Sequence, residues 1–241
     1  MVSDRTVAAI RGAVERGVRV SLATGRMPSS AVVYANKLGL TEPIIGHQGA
    51  LVRAMPVRRE AATDDAPGVR GRVGRILHHE PMDPAVVREA IEWCRANGLD
   101  PHVNDREELV VWQDDPSFED YSTYLGSGAE LVPDLVGAIR RPMTKVISVG
   151  EPPLPTTLYR IAKAHFAGRA DATLSHPRFL EFVAPGVSKG RAVAWLAHRA
   201  GIPLSQVMTI GDAYNDLEMI SDAGHGAAQT PAAGLAGLDE E

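Results

Sequence analysis

Three short polar clusters stand where apolar runs of the sequence end or where helices are predicted to begin. In open α/β sheets, ligands bind at the carboxyl ends of the strands, so polar residues at such positions are candidates for a binding site. Together the clusters offer a hydroxyl, an ammonium group, two carboxylates and an amide. The clusters are Thr24-Gly25-Arg26, Ser188-Lys189-Gly190 and Gly211-Asp212-Ala213-Tyr214-Asn215-Asp216.

The first two clusters suit a phosphate group. The hydroxyl of Thr24 could donate to a phosphate oxygen, and the amides of Gly25 and of the following helix N-terminus could add further donors. Lys189 begins a predicted helix, where its charge slightly opposes the helix dipole, and it could neutralise phosphate as a point cation. Each residue also has an ordinary interpretation, Thr24 as a helix cap and Lys189 as a solvated surface lysine.

The third cluster suits a divalent cation. Asp212 directly follows an apolar strand, and Asp216 lies one helical turn later, so both carboxylates could reach the same place. Magnesium is usually held by one or two carboxylates together with waters and substrate phosphate. The alternative is a polar loop in which Asp216 is an ordinary helix N-cap.

The elements that would position these clusters alternate between helix and strand near both ends of the chain. Ser3 is a suitable N-cap for the first helix, which Gly17 ends. This alternation is typical of an α/β fold with a parallel sheet. The pattern predicts helices at residues 29–38 and 189–200, and strands at residues 18–23, 43–45 and 207–210.

The middle of the chain follows a different pattern. Residues 53–75 are rich in Pro, Gly, Arg and Asp and are predicted to form a long loop. After the loop, strands and helices are predicted in an order typical of a separate α+β unit. The predicted domains are a core of residues 1–76 and 184–241 and an inserted unit of residues 77–183. Within the inserted unit, the pattern predicts helices at 84–96 and 156–166 and strands at 109–112, 145–149, 173–175 and 179–183.

Bulk composition excludes several classes of function. The 241 residues carry a formal charge of -5, with neither a basic stripe nor a basic tail, which argues against a nucleic-acid partner. There is no apolar run of about 18 residues, and the N-terminus does not resemble a signal peptide, so no membrane partner is expected. The single cysteine, Cys94, excludes an internal disulfide and fits a reducing, cytoplasmic compartment. Oligomeric state is not indicated by the sequence.

Taken in order, the three clusters resemble motifs two, three and four of the haloacid dehalogenase superfamily of phosphatases. A Gly-Val-Ser-Lys-Gly passage ahead of Gly-Asp-x-x-Asn-Asp is typical of the Cof-type, class IIB branch, and the middle unit lies where that branch carries its cap. The resemblance covers about residues 3–228. It is carried by Val20-Ser21-Leu22-Ala23-Thr24-Gly25-Arg26, by Phe179-Leu180-Glu181-Phe182-Val183-Ala184-Pro185-Gly186-Val187-Ser188-Lys189-Gly190 and by Ile210 to Met219.

The resemblance implies an α/β protein with a Rossmann-like parallel-sheet core and an inserted α+β cap domain. It also implies a magnesium-dependent phosphomonoester hydrolase that acts on small phosphorylated metabolites, such as sugar phosphates, through an aspartyl-phosphate. Cap residues would select the leaving group.

The resemblance also gives each candidate residue a role. Thr24 and Gly25 would bind phosphate, and Lys189 would stabilise charge on the nucleophile and on the transferring group. Asp212 and Asp216 would hold Mg²⁺, with Asn215 supporting them. Weaker candidates for substrate contact are Arg26, Gln48, which stands where the family usually has Asn before Gly-Ala, and Arg178 with its neighbour His176.

The sequence departs from the family at its start. The family's first strand ends in Asp-x-Asp-Gly-Thr, which supplies the nucleophile and the general acid/base, and residues 1–241 contain no such segment. Asp4 is no substitute, because it lies in the first turn of a helix. We therefore expect residues 1–241 alone to show essentially no turnover. Three interpretations stay open: a phosphatase whose start lies further upstream, a non-catalytic relic or pseudoenzyme that binds metal and phosphate, and a phosphotransferase such as a phosphomutase.

The missing strand would lie in the middle of the core sheet. Each large apolar side chain buried in such a strand contributes roughly 1.5–3 kcal/mol. Three or four of them approach the net stability of a domain, roughly 5–15 kcal/mol. We therefore expect a polypeptide of residues 1–241 to fold poorly or to aggregate.

Overall fold

Helices and strands alternate through the computed structural model, which describes residues 2–56, 70–119 and 129–228. Most of the loop predicted at residues 53–75 therefore lies outside the described residues. The helices are α1 (Asp4–Glu15), α2 (Pro28–Leu38), α3 (Pro84–Ala96), α4 (Leu135–Ala138), α5 (Thr156–His165), α6 (Lys189–Arg199) and α7 (Leu217–Asp222). The strands are β1 (Ile44–Gly46), β2 (Leu51–Arg53), β3 (Ile76–His79), β4 (Asp100–Asp105), β5 (Glu108–Trp112), β6 (Ala129–Val132), β7 (Lys145–Val149), β8 (Asp171–His176), β9 (Phe179–Val183), β10 (Met208–Gly211) and β11 (His225–Ala228).

The core contains two separate groups of strands. In one, β1, β2 and β3 form an antiparallel sheet, and Ala23 adds a parallel bridge to Ile45 of β1. In the other, β10 pairs in parallel with β11. The parallel pairings and the flanking helices confirm the predicted α/β class. The predicted domain boundary after residue 76 falls inside β3.

The strand predicted at residues 18–23 is wrong in extent. Only Ala23 makes a bridge, although the amide of Thr24 also donates to Ile45 O at 3.0 Å and the amide of Ile45 donates to Leu22 O at 2.9 Å. The segment therefore has a strand partner on one side, at its end, which is too little to form a ladder. The other side of this segment borders a groove.

The groove separates residues 20–23 from β10 and has a volume of about 370 Å³. Its lining is mainly apolar and includes Leu22, Leu196 and Met219. Strand β10 forms the far wall, where Met208 is 63% exposed and Ile210 is 56% exposed. The groove therefore lies where the resemblance implies a central strand, between the extended segment 20–23 and β10, which share no pairing with each other.

The inserted unit is built on a six-stranded sheet in the order β6-β5-β4-β7-β9-β8. Every pairing is antiparallel except that of β5 with β6. One face packs against α3 and α5 around Phe166 and Phe182, and the other face packs Ile147 and Val149 against Met27 of the core. The inserted unit therefore covers the core as a cap sheet with its helices outside. None of the described helices is long and apolar enough to cross a membrane.

A turn at residues 47–49 joins the core to the cap. His47 and Gln48 have φ angles of 49° and 60°, in the left-handed region that residues other than glycine seldom adopt. The ring of His47 is fully buried, and its Nε2 donates to the carbonyl of Arg106 in the cap at 2.6 Å. The strained backbone is thus held by a contact between the two units.

The free energy of unfolding should fall as the pH is lowered from about 7.5 to 5.5. Burial, and then the charge of Lys145, hold the pKa of His47 well below its ordinary value, and burial lowers the pKa of His79 as well. Below the ordinary histidine pKa of about 6.5 the unfolded chain takes up protons that the folded chain does not, so stability is lost. His47→Asn, which tolerates positive φ, should flatten this dependence in urea titrations at several pH values. The exposed His198→Asn is the control, and an unchanged slope in His47→Asn would refute the prediction.

A polypeptide of residues 1–241 should self-associate through the groove, because an exposed apolar strand edge is a template for pairing. The double substitution Met208→Lys/Ile210→Lys should lower the associated fraction measured by analytical ultracentrifugation, since lysines on an edge oppose pairing. Leu131→Lys, at an exposed position on β6 that does not line the groove, should leave the fraction unchanged. Monomeric behaviour and a cooperative melt of the unsubstituted polypeptide would contradict the prediction.

Candidate active site

The three polar clusters of the sequence come together at one end of the core. Lys189, the first residue of α6, donates to Asp216 Oδ1 at 2.6 Å, which joins the second cluster to the third. The side chain of Gln48 joins the third cluster to the first, because its Oε1 accepts from Asn215 Nδ2 at 2.8 Å while its amide lies against Gly25. A Cβ on Gly25 would meet that amide, so a larger residue there would have to displace the end of the Gln48 side chain.

The ion pair of Lys189 and Asp216 is buried, with 6% and 4% of the two residues exposed. The second carboxylate oxygen of Asp216 accepts the backbone amides of Asp212 at 3.1 Å and Ala213 at 3.2 Å. Three donors therefore occupy the Asp216 carboxylate. Its present contacts suit it to orienting Lys189 and the loop after β10 rather than to binding a cation directly, which differs from the role expected for it.

Two oxygens in this loop suit a hard cation. Asp212 directly follows β10 and is exposed. Oδ1 of Asn215 is buried without a hydrogen-bond partner in the described part of the chain. Residues 2–56, 70–119 and 129–228 hold no group of three or more His, Cys, Asp or Glu side chains that could bind a metal. Magnesium needs only one or two protein carboxylates when substrate phosphate and water complete its shell, so Asp212 and Asn215 fit this ion.

Thr24 is partly buried directly after the extended segment 20–23. Its Oγ1 accepts the backbone amide of Arg26 at 3.1 Å, which leaves the hydroxyl proton available for another acceptor. The side chain of Arg26 is exposed at the edge of the site. Thr24 can therefore act as a donor to an anion, and its role in binding phosphate stays a prediction.

Two charged cap residues at this site are not among those predicted from the sequence. Lys145 Nζ donates to the Gly25 carbonyl at 2.9 Å, and Glu181 Oε1 accepts from Gln48 Nε2 at 3.1 Å. The available signal was a charged residue inside each of two apolar strand sequences, Lys145 in β7 and Glu181 in β9. A charge in a strand buried on both faces calls for a partner.

A pocket of about 330 Å³ lies between this end of the core and the cap. Tyr159 and Tyr214 form an edge-to-face pair in its wall, with ring centroids 5.9 Å apart. Burial, followed by the hydrogen bond with Tyr214, raises the pKa of Tyr159, so its phenol stays protonated. The remaining lining residues that face the core clusters are Gln48, Ser188, Lys189 and Asn215.

Arg178 does not line this pocket. It lies in the turn between β8 and β9, and its Nε is 3.5 Å from the carbonyl of Gly150. Its neighbour His176 is exposed and lies against Phe179. The pocket is lined by the opposite end of this hairpin, at Asp171 and Val183. Substrate contact by Arg178 therefore stays a prediction that the pocket does not support.

Comparison with known proteins gives a family for this geometry. The family model for haloacid dehalogenase-like hydrolases matches residues 1–66 and 70–233. The chain is 25% identical over 225 residues to the HMP-PP phosphatase of Cronobacter sakazakii, covering 93% of this chain and 76% of that protein. It is also 26% identical over 230 residues to "Endoribonuclease YBEY, chloroplastic" of Arabidopsis thaliana, covering 94% of this chain but only 38% of the relative.

Solved structures share the fold. A haloacid dehalogenase-like hydrolase from Bacteroides thetaiotaomicron aligns with a TM-score of 0.74 at 25% identity, over 96% of this chain and 84% of that one. A HAD subclass IIB sugar phosphatase aligns with the same TM-score of 0.74 at 17% identity, over 94% of this chain and 80% of that one. With its motifs, its α/β core and its cap, the chain belongs to the haloacid dehalogenase-like hydrolases, and within them to the Cof-type phosphatases.

Proposed function

We propose that this protein is a magnesium-dependent phosphomonoester hydrolase of small phosphorylated metabolites. The observation that carries the proposal is the buried Lys189–Asp216 pair beside the exposed carboxylate of Asp212. This arrangement offers a fixed cation for phosphate oxygens next to an oxygen donor for a metal. Phosphoryl transfer needs little from a protein beyond positioning and neutralisation of charge, which these groups supply.

Asp212 and the Oδ1 of Asn215 are the residues we assign to the metal. Bound Mg²⁺ neutralises charge that develops on the phosphoryl oxygens. Asp216, expected from the sequence as a ligand, would act instead by fixing the ammonium of Lys189 and the backbone of the loop after β10. The carboxylate of Asp212 faces solvent and is thus available to a cation that arrives with the substrate.

Thr24 and Lys189 would bind the phosphate itself. The Thr24 hydroxyl, whose oxygen accepts from Arg26, would donate its proton to a phosphate oxygen, and the Gly25 amide lies beside it. Lys189 would contribute an ammonium group that Asp216 holds in place, in a buried setting where its attraction to phosphate is stronger than in water. Together they would hold the phosphoryl group in line for attack.

The nucleophile would come from a strand in the groove between residues 20–23 and β10. The groove is lined by Ala23, which directly precedes Thr24, and by Ile210, two residues before Asp212, so an aspartate that ends such a strand would meet the phosphate. That carboxylate would form an aspartyl-phosphate as the leaving alcohol departs, and water would then cleave it to free phosphate.

The pocket and the relatives support a small substrate. The pocket volume of about 330 Å³ suits a metabolite rather than a polymer. Two relatives carry the name HMP-PP phosphatase, and one solved neighbour is a sugar phosphatase. We further propose a cytoplasmic location, for which the buried free thiol of Cys94 is the support.

The decisive test restores a strand that ends in Asp-x-Asp-Gly-Thr, either fused ahead of Met1 or added as a peptide. With Mg²⁺ this assembly should hydrolyse p-nitrophenyl phosphate, whereas residues 1–241 alone should not. In the active assembly, Asp212→Ala and Lys189→Ala should each lower kcat by about 10²–10³, comparable to the loss of one charge-stabilising group. The readout is release of p-nitrophenol with and without EDTA.

The matched control is Asp222→Ala, an exposed aspartate at the end of α7 outside the site, which should keep full activity. If Asp212→Ala also stayed fully active, the metal assignment would be wrong. No activity in the restored assembly would favour a non-catalytic protein. A sugar phosphate returned as an isomer, instead of free phosphate, would favour a phosphomutase.

A further inference from the structure

On the face that covers the core, the cap sheet buries the ammonium group of Lys145 and the carboxylate of Glu181. Lys145 begins β7 and Glu181 lies in the neighbouring strand β9, and only 3% and 2% of the two residues are exposed. Glu181 pairs with Ile147, so Lys145, two residues earlier, lies diagonally opposite on the same face. Nζ of Lys145 is 2.7 Å from Oε2 of Glu181.

Such a pair is a weak contributor to stability, because apolar side chains of similar size usually serve a buried position equally well. Ile147 and Val149, in the same strand as Lys145, belong to an apolar cluster with Leu109. Two buried charges beside this cluster need another explanation, and their remaining contacts supply it.

Lys145 acts on the phosphate-binding loop through the backbone. Its Nζ donates to the carbonyl of Gly25 at 2.9 Å. That carbonyl and the amide of Arg26 belong to one planar trans peptide, so they point in opposite directions and turn together. The Arg26 amide is the group that donates to Thr24 Oγ1 at 3.1 Å. By holding the carbonyl, Lys145 fixes which side of the Thr24 hydroxyl is free to donate.

Glu181 acts on the loop after β10 through Gln48. Its Oε1 accepts from Gln48 Nε2 at 3.1 Å and from the hydroxyl of Ser175. The bond from Gln48 Nε2 to Glu181 fixes the orientation of the Gln48 amide. The Gln48 oxygen, Oε1, is then placed to accept from Asn215 Nδ2 at 2.8 Å. The Asn215 amide is thereby oriented with its Oδ1 away from Gln48, buried and without a partner among the described residues.

We propose that Lys145 and Glu181 are positioning residues, through which the cap sets the Thr24 hydroxyl at one side of the phosphate site and the Asn215 oxygen at the other. The proposal rests on the phosphate site of the proposed function. The cap thus supplies part of the geometry that binds phosphate, in addition to any contact that it makes with the leaving group.

The test compares Lys145→Met with the neutral double variant Lys145→Met/Glu181→Gln. All variants are made in the assembly that carries the restored strand. Affinity for inorganic phosphate with Mg²⁺ is measured by calorimetry, melting temperature by circular dichroism, and the amide signals of Thr24, Arg26 and Asn215 by NMR. Lys145→Met should bind phosphate at least tenfold more weakly and shift those signals. The double variant should regain melting temperature, because no unpaired charge stays buried, while its phosphate affinity stays at least tenfold reduced.

The control is Asp115→Asn, which removes the charge of another buried carboxylate of the cap, whose Oδ1 is 3.2 Å from His102 Nε2. It should change phosphate affinity by less than twofold. Recovery of phosphate affinity together with melting temperature in the double variant would overturn the proposal, as would a tenfold loss in Asp115→Asn. If the unsubstituted protein bound no phosphate, the proposed function would fail. Unchanged Thr24 and Asn215 signals in Lys145→Met would refute the positioning role independently.

Discussion

The ammonium of Lys189 is buried at the start of α6, where the helix dipole disfavours it, and it is tolerated because Asp216 lies against it. Removing either partner of such a pair costs about 3–5 kcal/mol, since the other charge is left buried and alone. The pair therefore fixes the N-terminus of α6 against the loop after β10. The same carboxylate accepts the amides of Asp212 and Ala213, so the loop folds around it and turns the side chain of Asp212 outward.

Local pattern was enough to predict much of the fold. The helix at residues 84–96 has the bounds expected from the sequence, and its Asp83 cap and Pro84 are features that the local sequence alone determines. Strand β10 was recognised from its apolar run. Strand β11 was missed because His225-Gly226-Ala227-Ala228 has little β propensity, and its pairing with β10 decides its conformation.

The site was less predictable, because its contacts join residues far apart in the chain. The four-residue spacing of Asp212 and Asp216 predicted two carboxylates directed at one cation. In the folded chain Lys189, 27 residues away, forms an ion pair with one of them, Asp216. Likewise, Lys145 contacts a carbonyl 120 residues away, and such a pairing has no local signature. A charged residue inside each of two apolar strands was the sequence signal for Lys145 and Glu181 of the cap.

At Gln48 the backbone conformation depends on the long-range contacts of the side chain. The family usually places Asn at this position, and Asn tolerates positive φ more readily than Gln does. Gln48 holds a φ of 60°, a conformation that costs of order 1–3 kcal/mol for a residue other than glycine. Its longer side chain makes two hydrogen bonds. The Gln48 amide nitrogen donates to Glu181, and the Gln48 amide oxygen accepts from Asn215. Each such bond contributes about 0.5–1.5 kcal/mol, and more where a carboxylate accepts, so the two together offset the strain. The strained turn therefore persists because the cap and the loop after β10 both hold its side chain, which makes the conformation of the core at this site dependent on the cap.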